Sequence, residues 1–76
     1  MNEKDLFDIV MKASDMEFDL IKSGFNRNYI EQLKESYFEK VMKKPNPELQ
    51  ELVEAYTLYF EHLKENYEIL TNEEGV

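Results

Sequence analysis

Lys43-Lys44-Pro45-Asn46-Pro47-Glu48-Leu49 divides the second half of the chain into two helices. Pro45 stops the first of them, because Lys44 before a proline is pushed out of helical geometry. Lys43 and Lys44 suit the negative end of that helix's dipole. Asn46 can cap the next helix. Pro47 fits its first position, where a missing N–H costs nothing, and Glu48 follows in the first turn. From there Leu49, Leu52, Tyr56, Tyr59, Leu63 and Leu70 recur at helical spacing. Val53, Phe60 and Tyr67 widen this stripe, and Asn66 fills its one polar slot. The spacing predicts a helix over 47–70 and a flexible tail over 71–76.

Upstream, Asn28 with Glu31 three positions later resembles a capping box, and Ile30, Leu33, Tyr37 and Val41 follow on one face with Tyr29 alongside. This predicts a helix over 28–44. Before it, Asn2 can cap a helix whose first turn holds Glu3 and Asp5. Leu6, Ile9, Val10, Ala13, Met16, Leu20 and Ile21 form its apolar face. Gly24 can take the left-handed turn that closes it, and Phe25 can fold back on Leu20. A helix over 3–23 results. No stretch alternates with period two, so no strand is expected. The expectation is all-α: a single domain over 1–70, a three-helix antiparallel bundle joined by two short turns.

The chain has 76 residues and no cysteine, so disulfides, thiolate metal sites and cysteine nucleophiles are excluded. Its apolar content is too high for intrinsic disorder despite the charge. No apolar run is long enough for a membrane span. The N-terminus lacks the pattern of a signal peptide. A cytoplasmic protein of bacterial or phage type is expected, with no membrane partner.

Apolar residues outnumber those that one core face needs. Phe7, Met11 and Phe18 lie on one flank of the first helix, and Phe38 and Met42 are placed away from the Ile30–Leu33–Val41 face of the second. A small domain gains much from added burial, so these five residues form a possible dimer surface and a homodimer is expected. Asn66 could then fix register, as a buried asparagine does in coiled coils, or stand exposed near the helix end.

Chemistry is scarce. His62 is the only histidine, and Tyr59 stands three residues before it, where a di-iron bundle would need glutamate. His62 is read as a surface residue. The hydroxyls of Ser14, Ser23, Ser36, Thr57 and Thr71 have no nucleophile turn, and the two glycines are isolated. No enzyme activity, cofactor or metal is expected. Glu17 is placed within the apolar arc of the first helix, with Tyr29, Tyr56, Tyr59 or Lys40 as candidate partners.

Charge gives the stronger lead. Residues 46–76 hold eight carboxylates and one cation, Lys64, whereas residues 25–45 are net positive. Glu54, Leu58, Glu61, Glu65 and Glu68 step by four and three, with Glu51 flanking, so they share one outward face. Such a face serves solubility. It also attracts basic protein surfaces, with Leu58 as a central apolar contact, and can imitate the phosphate line of DNA. A regulator or inhibitor binding another protein's basic or apolar surface is therefore expected. One alternative is an assembly homodimer with no other ligand. Another is a helix-turn-helix DNA reader with Arg27 and Asn28 opening the recognition helix. Direct nucleic-acid binding is not expected, because Glu31, Glu35 and Glu39 share that helix and the third helix adds strong negative charge.

Overall fold

The computed structural model describes residues 2–75, with side chains described over 2–72. They form three helices: α1 (Glu3–Lys22), α2 (Arg27–Met42) and α3 (Leu49–Gly75). Among the described residues there is no strand, and no helix is long and apolar enough to cross a membrane. The fold is an all-helical three-helix bundle.

Local chemistry explains most helix ends. Asn2 caps α1: its side chain accepts from the Asp5 N–H at 3.1 Å, and the Asp5 carboxylate accepts from the Asn2 N–H at 3.1 Å. At the other end, the Phe25 N–H donates to the Leu20 carbonyl and the Gly24 N–H to the Ile21 carbonyl. Gly24 takes φ of 104°, the left-handed geometry that this stop requires. Phe25 folds back onto the core beside Leu20.

Two expected starts shift. Asn26, not Asn28, caps α2, because its Oδ1 accepts from the Asn28 N–H at 2.8 Å. The helix therefore opens at Arg27. α3 begins at Leu49, two residues after Pro47, with the Leu52 N–H donating to the Glu48 carbonyl. It then continues to Gly75, five residues beyond the expected end. The Thr71 hydroxyl donates to the Tyr67 carbonyl at 3.0 Å, and no helix-breaking residue intervenes before Gly75. Val76, the last residue of the expected tail, lies outside the described residues.

The helices run up, down and up. The α1–α2 turn lies beside Leu70 near one end of α3, and the end of α2 lies beside Leu52 near the other. α3 is the spine: it packs along both α1 and α2, whereas α1 and α2 barely meet. Helix α1 thus packs back on α3 within one chain. The core joins Ala13 and Leu20 of α1, Ile30 and Phe38 of α2, and Ala55, Tyr59 and Leu63 of α3. Leu33, Tyr37, Val41, Tyr56, Phe60 and Tyr67 pack around it partly buried.

Phe38 corrects the expected dimer surface. It is 8% exposed, its ring 4.4 Å from that of Tyr56 and 5.8 Å from that of Tyr59, measured between centroids. Successive side chains at i, i+4 and i+8 drift about 40° per step on a helix. α2 turns the drifting line through Ile30 and Phe38 into α3, so its buried wedge is displaced from the Ile30–Leu33–Val41 face. A phenyl ring has more apolar area to bury than any other side chain on that flank, which favours this rotation.

Candidate protein-binding face

The outward side of α3 is built by its core side. Burying Tyr59 and Leu63 leaves the opposite edge of the helix to solvent. Glu54, Glu61, Glu65 and Glu68 are exposed there, and Leu58 is 54% exposed between them. Leu58, Glu61, Glu65 and Glu68 border one shallow groove together with Tyr37, His62 and Lys64. The expected acidic face is therefore brought together, with one exception.

Glu51 leaves it. Its Oε1 accepts from the Lys44 ammonium, which ties α3 to the turn after α2. This hydrogen bond holds the Glu51 carboxyl below its usual range against the opposing effect of burial, and raises Lys44. The other oxygen, Oε2, is buried without a partner. Glu54 keeps its place on the face and accepts from the Gln50 side chain at 3.2 Å.

The cations of α2 do not neutralise this face. Lys34 reaches Glu17 of α1 at 3.9 Å, and Lys43 bonds Glu39 of its own helix at 3.2 Å. Lys44 alone reaches α3, at Glu51. Among the described residues, no cation lies within 4.0 Å of Glu54, Glu61, Glu65 or Glu68.

His62 is not the free surface residue that its isolation in the sequence suggests. It is partly buried, and its Nδ1 shares a hydrogen bond of 2.7 Å with the Tyr37 hydroxyl. The two rings meet edge to face at 5.8 Å. Tyr37 and His62 thus form a polar join beside the acidic face. Nothing in the local sequence signals it, because the partners lie 25 residues apart.

Glu17 finds Lys34 rather than Lys40. The Glu17 carboxylate acts on the Tyr59 hydroxyl by its charge and as a nearby acceptor, though no hydrogen bond of ordinary geometry joins them. Burial, with Glu17 adding, pushes the Tyr59 phenol well above its usual range. Asn66 is also partly buried, and its Nδ2 has no partner. Arg27 and Asn28 are exposed in the first turn of α2.

The remaining apolar surplus is real. Phe7 is 64%, Met11 49% and Phe18 62% exposed, and they stand on one line of α1. Lys22 sits over the Phe18 ring at 5.4 Å. Met42 is also exposed, at the end of α2, but belongs to a different depression, shared with Leu52 and Tyr56.

Among the described residues, no three His, Asp or Glu side chains stand close enough to hold a metal ion. No family model, no curated protein and no solved structure matches the chain.

Proposed function

We propose that the chain is a small non-enzymatic interaction module, a regulator or inhibitor that binds a basic or apolar surface of another protein through the outward face of α3. The observation that carries this reading is the row of unneutralised carboxylates at Glu54, Glu61, Glu65 and Glu68 around exposed Leu58. An ordinary solvated face mixes both signs. Here the face holds one cation, Lys64, which makes no ion pair among the described residues, while Lys34 and Lys43 of α2 pair elsewhere.

Magnitude refines the partner. The four carboxylates span about 21 Å of helix at 1.5 Å per residue. That is about 7 Å between charges, twice as sparse as one strand of DNA at about 3.4 Å. Phosphate imitation alone gives a weak field, so Leu58 must supply apolar contact at the centre. A nucleic-acid-binding protein remains a suitable partner if its basic surface also offers an apolar spot.

The test is partner capture from a cell extract by the wild type and by Glu54→Lys/Glu61→Lys/Glu65→Lys. Captured protein should be lost in the triple variant and in high salt, where screening shrinks to about 3 Å at 1 M. Helix content by circular dichroism should not change. Retained capture by a folded triple variant would refute the reading.

A second reading is a homodimer through α1, favoured by the exposed line of Phe7, Met11 and Phe18. Light scattering decides it. A dimer that survives high salt and dissociates in Phe7→Ser/Phe18→Ser supports it, and a monomer at all concentrations overturns it.

A further inference from the structure

A groove of about 840 Å³ runs along α2, closed on one side by Glu17 of α1 and floored by Leu52 and Tyr56 of α3. Beside it α1 and α2 barely meet. It shares no residue with the groove beside the acidic face of α3. Its apolar part is formed by Ile30 and the rings of Phe38 and Tyr56, tilted 58° to each other, with Met42 exposed at the mouth. Methionine there can adapt to a range of apolar shapes.

Its rim is one-sided in charge. Glu17, Glu31, Glu35 and Glu39 border it against a single ammonium, Lys34. Lys34 faces Glu17, and Glu39 is taken by Lys43. Glu31 and Glu35 have no cation within 4.0 Å among the described residues.

The rim carboxylates also act on a residue that does not itself line the groove. Tyr59 is fully buried, yet its hydroxyl has no hydrogen-bond partner. The groups that act on it electrostatically are Glu17, Tyr56 and Glu31, and all three line the groove.

We propose that this groove is the docking site for an amphipathic helix of a partner protein, one whose apolar stripe is flanked by Lys or Arg. The apolar floor takes side chains spaced as i, i+3 or i+4, and i+7, as helix-in-groove recognition does. The carboxylate rim selects cationic flanks and rejects acidic ones. A second copy of this chain fits poorly, because it carries a net charge of −8 to an already acidic rim. The site is separate from the α3 face and stands or falls without it.

The experiment is a nuclear magnetic resonance titration of the labelled full chain. The probe is a synthetic amphipathic helix of about 18 residues built from Leu and Lys, and its control replaces every Lys with Glu. The Leu/Lys peptide should shift the backbone amides of Glu35, Phe38, Met42 and Leu52. Affinity should fall about tenfold or more in Glu31→Lys/Glu35→Lys. Both positions are exposed, so that variant should keep its fold, and its own spectrum checks this. The Glu54→Lys/Glu61→Lys/Glu65→Lys variant should still bind in the groove. Four results overturn the proposal: no binding, equal binding of the acidic control, shifts confined to residues 58–68, or groove amides that shift on dilution without peptide. The third would locate binding on the α3 face alone, and the fourth would assign the groove to a second copy.

Discussion

Replacing Tyr59 with Phe should stabilise the free protein. The ring is fully buried and packs against Phe38 at 5.8 Å and Tyr37 at 6.3 Å between centroids. Those contacts survive the substitution. What disappears is a buried hydroxyl with no partner, whose desolvation costs about 1–3 kcal/mol. The small void left by one oxygen takes back part of this. A net gain of about 1 kcal/mol should raise Tm by about 4–8 °C in a domain of this size. The assay is thermal unfolding at neutral pH by circular dichroism. A loss of 1 kcal/mol or more would refute the reasoning, because it would mean that the hydroxyl is bonded in solution, with Glu17 the nearest acceptor. A double-mutant cycle with Glu17→Gln separates the cases. Without a Tyr59–Glu17 bond the two changes add within about 0.5 kcal/mol.

Other outcomes follow from the same structure. Burial, with Glu17 adding, holds the Tyr59 phenol above its unfolded value near 10, so the folded state resists its ionisation. Stability should be intact below that value and fall as pH rises above it; tyrosinate absorbance should show one tyrosine titrating late, and Tyr59→Phe should remove that component. Gly24→Ala meets no atom within 4 Å but must hold φ of 104°, so it should cost about 1–2 kcal/mol in denaturant unfolding through backbone strain alone. Phe38→Ser should cost about 3–5 kcal/mol, because it empties a core site. Phe18→Ser, at an exposed position, should cost less than about 0.5 kcal/mol in a monomer, and urea midpoints for the two variants compare them directly.

What the sequence discloses is local, and what it hides is rotation. Asn2 with Asp5, and Gly24 with Phe25, announce their structures because every partner lies within five residues. The same holds for the carboxylates of α3, whose spacing alone puts them on one face. Phe38 fails this test. Which flank of α2 is buried depends on how α2 is rolled against α3, and no residue within a turn of Phe38 encodes that roll. His62 fails it for the same reason, since its partner Tyr37 belongs to another helix. The end of α3 was obscured differently. Thr71 and Asn72 are poor helix formers, yet their side chains do not break the helix, and the Thr71 hydroxyl bonds back to the preceding turn. The groove along α2 was invisible, because it depends on how α2 sits against α3 and against Glu17 of α1.

The acidic face raises a question of energy that one substitution can answer. Glu65 stands four residues after Glu61 and three before Glu68, so it takes part in two like-charge pairs on a solvated helix. Each such pair is unfavourable by about 0.2–0.5 kcal/mol, and an opposite-charge pair is favourable by a similar amount. Glu65→Lys converts both pairs and should stabilise the chain by about 1 kcal/mol. It would still leave the net charge at about −6, ample for solubility. If denaturant unfolding shows that gain, the wild-type face is less stable than solubility alone demands, and an interaction that uses the carboxylates is the explanation with physical content. If the variant is no more stable, the carboxylates repel one another too weakly to matter. The face then needs no partner to account for it, and the proposed function loses its main support.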